Sequence, residues 1–327
     1  MREIKFSSGI HVFGNTSDRF VKDGYKEDKS LKEMIGLAGQ VPDLEGIELV
    51  EGWHVSTDNL KEVSGWVNEA GLVVTVVHPD LWTTKKWASG ALAASDKKTR
   101  EQATGVVKNA MDMSEQLGAN LVDVWFGQDG WEYAFTQDYM KAWDLGAEAL
   151  AMVCDHNPNV RVGIEYKIKE PRVHMHFGTL GKVMLLVNEV NRPNLGIIID
   201  FGHAFFGYEN AAQAIAICKR AGNKLFHTHF NDNYRMWDDD MIPSSVNIID
   251  YIELLYWLEL TGYDGWYSLD IFPYREDGVR AANESIRWLK SLRTLIAKIG
   301  MEKIQRTIKQ EDAIEALALI REAMLGG

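Results

Sequence analysis

Four residues stand at or near the ends of short apolar runs, where packing alone would favour none of them. They are Glu165 in RVGIEYK, Asp200 in LGIIIDFGH, His229 in KLFHTHFND and Asp270 in GWYSLDIFPY. Taking a carboxylate or an imidazole out of water is costly unless the group is paired. One divalent cation would pair all four. Three carboxylates and one imidazole suit Mn2+, Co2+ or Mg2+ better than a structural zinc, with Mn2+ the first expectation. Lys167 lies two residues beyond Glu165, so their side chains share one face of a strand. An ammonium there would stabilise negative charge developing on a substrate oxygen. His227 and His229 share a face in the same way. Further on, Asp238-Asp239-Asp240 supplies enough acid for a second cation, with His203 as partner.

The elements that must carry these residues alternate. Strand character runs over 4–13, 46–50, 72–79, 119–127, 161–167, the Ile197-Ile198-Ile199 run that ends at Asp200, 224–232 and 265–274. Helical periodicity fills 57–70, 95–117, 138–154, 179–190, 211–220, 248–260 and 276–298, with Ser95 placed to cap its helix. Strands alternating with helices imply parallel pairing through right-handed crossovers. Eight such units predict an α/β fold, a (β/α)8 TIM barrel over residues 1–299. An open doubly wound sheet is the rival, but the first strand is not followed by a glycine-rich phosphate turn. Residues 300–327 form a helical tail whose Ile304, Ile308, Ile314, Leu317 and Ile320 need a surface, either the barrel's own exterior or a second subunit. In a barrel of this kind the site sits at the C-terminal ends of the strands, where Glu165, Asp200, His229 and Asp270 come from four consecutive strands.

Composition narrows the partners. The chain of 327 residues carries a formal net charge of -12, against a dedicated nucleic-acid binder. Two cysteines without CxxC spacing, Cys154 and Cys218, support neither a disulfide framework nor a thiolate zinc site. The charged, alternating N-terminus is unlike a secretory signal and no apolar run spans a bilayer, so a cytoplasmic protein without a membrane partner is expected.

These residues carry a family likeness. The chain resembles the xylose isomerase-like sugar isomerases and epimerases, nearest the L-rhamnose isomerase and xylose isomerase branch. Glu165-Tyr166-Lys167, followed by Glu170-Pro171, resembles that branch's metal glutamate and substrate-oxygen lysine. Val124-Trp125-Phe126-Gly127-Gln128-Asp129-Gly130-Trp131-Glu132 is similar to the tryptophan-glycine motif of xylose isomerases, and Asp200-Phe201-Gly202-His203 resembles the bridging acid with the second-metal histidine. His229-Phe230-Asn231-Asp232, leading to Asp238 and Asp240, is similar to the rhamnose isomerase loop. The resemblance implies one metal at Glu165, Asp200, His229 and Asp270. It implies a second at His203, Asp238 and Asp240, with Asp200 shared. Gln128 stands where xylose isomerases have arginine, and His229 where they have aspartate, which argues against xylose as substrate.

The implied activity is aldose–ketose isomerisation by a 1,2-hydride shift on a metal-chelated open-chain sugar. Lys167, His78, Glu165 and Asp270 would do the chemistry, with His78 shuttling the ring-opening proton. Trp82, Trp125, Trp131, His203 and His227 would contact the sugar, and a homo-oligomer, dimer or tetramer, is expected. The alternatives are a ketose 3-epimerase, or a metal-dependent lyase such as a 3-oxo-C-glycoside deglycosidase on the same scaffold. An abasic-site endonuclease would need a basic DNA face, and a non-enzymatic sugar-binding barrel would have no use for both ligand sets.

Overall fold

A computed structural model describes residues 2–326. Eight parallel strands close on themselves, each beside its sequence neighbours. They are β1 (Lys5–Gly9), β2 (Leu44–Val50), β3 (Val73–His78), β4 (Leu121–Trp125), β5 (Arg161–Glu165), β6 (Leu195–Asp200), β7 (Leu225–Phe230) and β8 (Trp266–Leu269). β6 shows why the sequence folds this way: every one of its residues is buried, and its three consecutive isoleucines face the barrel interior on one side and the helices on the other. The ring of helices comprises α1 (Leu31–Ala38), α2 (Leu60–Glu69), α3 (Lys97–Gln116), α4 (Tyr139–Cys154) and α5 (Leu180–Val190). It continues with the short α6 (Phe201–Phe206), then α7 (Ala211–Arg220), α8 (Ile248–Thr261) and α9 (Gly278–Ile299).

Two expectations shift by local chemistry. The first strand stops at Gly9 instead of running to residue 13, because Ile10–Phe13 turns into a 3-10 helix. That turn brings His11 over the barrel mouth. The cap of α3 is Asp96, not Ser95: its Oδ2 accepts the backbone N–H of Thr99 at 2.7 Å. The tail forms two helices, α10 (Met301–Gln310) and α11 (Ala313–Leu325), which pack on the outside of the barrel against α9, with Met301, Ile304 and Ile320 against the core, Leu319 buried, and a cavity shared with α8. Among the described residues no helix is long and apolar enough to cross a membrane.

Candidate metal centre

Register brings the strand-borne residues to one level. Asp200 pairs with His229, and His229 with Ser268, so Asp270, two residues on and just past the end of β8, lies one layer nearer the mouth. Glu165 closes β5 opposite Trp125. Ligand atoms of Glu165, Asp200, His229 and Asp270 all lie within 4.8 Å of one another, as do those of Asp200, His203 and Asp238. Above them a cavity of about 350 Å3 opens between the strand ends, walled by Trp53, His54, Trp82, Trp125 and Phe272, with Lys167 and Asp240 on its side.

Asp200 is oriented from two sides. Its Oδ1 accepts the backbone N–H of His203 at 2.8 Å, capping α6, and its Oδ2 accepts Nδ2 of Asn231 at 2.7 Å. Gly202 makes room for this: a Cβ there would fall 1.7 Å from Oδ1 of Asn231. Burial pushes the Asp200 carboxyl up to about 7, a rise to which Asp238, Glu165 and Asp270 add and which His203 opposes. His229 Nδ1 lies 3.2 Å from Glu165 and 3.8 Å from Asp270. His203 Nδ1 lies 3.3 Å from Glu165, and its Nε2 3.2 Å from Asp238. Although burial works against the His203 imidazolium, Asp200 and Asp238 lift it to about 9.

The donor set fits a cation. Nδ1 of His203 and Oδ1 of Asp238 are buried and have no hydrogen-bond partner, aimed into a crowd of carboxylates whose burial opposes their charge. Groups left unpaired at this depth are costly unless something positive joins them. Three carboxylates with one imidazole in the first set, and oxygen donors plus His203 in the second, suit a hard or borderline divalent metal.

Lys167 is buried, and its ammonium forms an ion pair with Asp238 at 2.7 Å and another with Glu170. Burial disfavours its charge, but Asp238 and Glu170 outweigh that and hold the ammonium well above its ordinary range. It therefore sits nearer the second set than the first, while still facing the cavity. Asp240 also lines the cavity, its carboxyl pushed up by burial and by Asp238 and Asp270. His78 reaches the cavity wall with Nε2 2.7 Å from Glu48 and Nδ1 3.5 Å from Asp123.

Two expected sugar contacts lie elsewhere. Trp131 belongs to a small outer sheet with 173–175 and stacks on His174, because its strand turns away from the barrel mouth. His227 is fully buried beneath the cavity, held by Glu48 at 2.7 Å. Trp82 and Trp125 do face the cavity and meet edge to face.

Four residues escaped the sequence reading. Glu48 and Asp123 are buried acids inside β2 and β4, His11 pairs with Asp270 at 3.1 Å, and His54 lines the wall. A single acid within an apolar strand, as in GIELV or LVDVW, was the available signal for the first two.

Residues 42–292 match the family model described as the xylose isomerase-like TIM barrel. A xylose isomerase from Thermus thermophilus is 32% identical over 225 residues, 66% of this chain and 58% of that protein. A xylose isomerase from Thermus caldophilus is 30% identical over 224 residues, 66% of this chain and again 58% of the relative, so the chain spans under two thirds of the curated relatives it matches. Among solved structures, an L-ribulose 3-epimerase superposes with a TM-score of 0.69 at 15% identity, covering 91% of this chain and 98% of that one. A D-tagatose 3-epimerase-like protein gives 0.68 at 20% identity, covering 90% and 99%. These neighbours share the fold, and the match across most of the barrel places the chain in the xylose isomerase-like TIM barrel family.

Proposed function

We propose that this protein is a metal-dependent aldose–ketose isomerase acting on a small open-chain sugar by a 1,2-hydride shift. The observation that carries this reading is the convergence of Glu165, Asp200, His229 and Asp270 beside a buried, charged Lys167 in one cavity. A bound divalent cation, Mn2+ first and Co2+ or Mg2+ next, supplies Lewis-acid polarisation of the sugar oxygens. Glu165, Asp200, His229 and Asp270 would hold the first cation, and Asp200, His203, Asp238 and Asp240 a second. Lys167, fixed by Asp238 and Glu170, donates to the oxygen on which negative charge grows. His78 stands between Glu48 and Asp123, so it can take up and release the ring-opening proton with the Glu48 counter-charge beside it. His54 accepts the Val50 N–H on Nδ1 at 3.0 Å and so carries its proton on Nε2, a neutral donor for a sugar oxygen. Trp82 and Trp125 pack on the C–H faces of the sugar. The exposed Ile314 and Leu317 of α11 support assembly into a homo-oligomer.

The test is a panel of aldoses and ketoses incubated with Mn2+ and separated by chromatography. Interconversion of one aldose–ketose pair is expected, and no conversion across the panel would overturn the proposal. The ketose 3-epimerase reading is favoured by one feature: Glu165 and Asp270 both reach the cavity and flank His229, as an acid and a base on one sugar would. Reaction in deuterated water separates the two, since hydride transfer carries the substrate's own hydrogen to product whereas an enediolate picks up solvent deuterium.

A further inference from the structure

Beneath the cation ligands lies a carboxylate that the reaction above does not use. Glu48, on β2, is buried and makes four contacts. Nε2 of His227 lies 2.7 Å from its Oε1, on the side where the Ser268 hydroxyl also bonds. Nε2 of His78 lies 2.7 Å and Nε2 of His229 3.1 Å from its Oε2. A carboxylate has about four lone-pair sites and, when ionised, donates nothing. All four neighbours must therefore act as donors, which requires the proton on Nε2 in each of the three imidazoles.

For His229 this has a consequence on the far side of the ring. With Nε2–H committed to Glu48, the remaining ring nitrogen is Nδ1, which faces Glu165 and Asp270 and offers its lone pair to a cation that displaces the proton it holds towards Glu165. We propose that Glu48 is the positioning residue of the centre: it fixes the Nε2–H form of His229 and so aims its Nδ1 lone pair at the Glu165–Asp200–Asp270 cluster, and through the same carboxylate it ties this ligand to His78 on the cavity wall. The proposal rests on the metal reading for His229 alone; the state of His78 and His227 follows from Glu48 whether or not a metal binds. Carboxylates that receive the outer N–H of a ligating histidine set its tautomer and ring orientation.

The two Glu48 variants differ in a way that a mere filler of space would not show. In Glu48→Gln the amide N–H group finds its easier place on the Oε1 side. There the Ser268 hydroxyl can turn to accept, and His227, whose Nδ1 has no partner, can shift its proton to that atom. The amide oxygen then stays with His229 and His78. In Glu48→Met no acceptor remains for either. Calorimetric titration of metal-stripped protein with Mn2+ should show affinity lowered about 10–100-fold in Glu48→Met. Glu48→Gln should lose no more than about threefold, well short of the loss expected when such a partner is removed outright. Nitrogen NMR of histidine-labelled wild type, loaded with diamagnetic Zn2+ at mildly alkaline pH, should show Nε2–H on His78, His227 and His229. Glu48→Met binding Mn2+ as the wild type does, or Glu48→Gln losing as much as Glu48→Met, would overturn the proposal. So would Nδ1–H signals on His78 and His227, a readout that needs neither variant to fold. A wild type that takes up no cation would instead sink the metal reading, leaving those two histidine signals to decide Glu48's role.

Discussion

The two proposed ligand sets share Asp200 but are built from different material. Four strand ends carry the first, and two of its members, Asp200 and His229, are direct partners in the barrel's hydrogen-bonded register. The second hangs on the six-residue α6, through His203, and on the loop after β7, through Asp238 and Asp240. The sets also differ in charge balance. Asp238 already faces the Lys167 ammonium, whereas Glu165, Asp200 and Asp270 have only the imidazoles around them. The barrel thus provides a strand-borne set that, on the proposed reading, gains its metal-free positive charge from imidazoles alone, and a loop-borne set that has the Lys167 ammonium as well. Ligands fixed on strand ends suit a tight metal site, since rearranging them consumes none of the binding energy.

The largest effects should therefore come from the first set. Glu165→Gln and Asp200→Asn are expected to abolish Mn2+ binding and to lower turnover by more than the ~100-fold that outer-shell losses cost. EDTA should do the same to the wild type, with Mn2+, Co2+ or Mg2+ restoring activity. Full activity in a verified metal-free sample would break the comparison at its root.

Lys167→Met comes next, with kcat lowered on the order of 10²-fold and KM little changed, as for one lost oxyanion donor. The variant also sharpens the contrast in charge. Without the ammonium, Glu170 loses its cation and Asp238 keeps only His203 in the metal-free protein. Mn2+ should then raise the melting temperature of Lys167→Met more than that of the wild type. Equal shifts in both proteins would mean that lysine and cation are not balancing the same acid. Asp238→Asn should cost less, roughly 10-fold in kcat for one charge-assisted hydrogen bond with Lys167 still on Glu170. Loss of metal binding as complete as in Asp200→Asn would erase the distinction between the sets.

The same division explains what could be read from the sequence. Strand-end residues announce themselves because β-branched runs are easy to find and side chains alternate, so Glu165, Asp200, His229 and Asp270 follow from counting. The eight-strand alternation gave the barrel for the same reason. Glu48 and Asp123 hid one layer deeper, since an acid inside an amphipathic strand resembles a solvated rim residue until closure of the barrel turns it inward. His11 and His54 depend on a 3-10 turn and on a loop, whose paths no periodicity describes. Trp131 illustrates the opposite error: motif proximity suggested the pocket, but three residues of outer sheet, Val173–Met175, draw it away. His227 shared its strand face with His229 as counted, yet it sits one layer lower and spends its Nε2 on Glu48.

The last effect concerns His54, which belongs to neither set and is felt in stability and not in turnover. Burial first, then the neighbouring His11 and His78, pull its imidazole down to about 3, so the native protein holds it neutral. An unfolded histidine titrates near 6.5, so between these values the unfolded chain takes up a proton that the native state refuses. Stability from this residue is therefore intact above the unfolded value and is lost as the pH falls below it. The loss amounts to about 2 kcal/mol between about pH 7 and pH 5. Gln is the informative replacement, because its amide oxygen can still accept the Val50 N–H while nothing titrates. Urea unfolding of metal-free wild type and His54→Gln at the two pH values cancels the groups common to both. The wild type should lose the extra ~2 kcal/mol and the variant should not. Parallel losses would mean that the protein tolerates a charged His54, and that the cavity wall offers the sugar an imidazolium in place of a neutral donor.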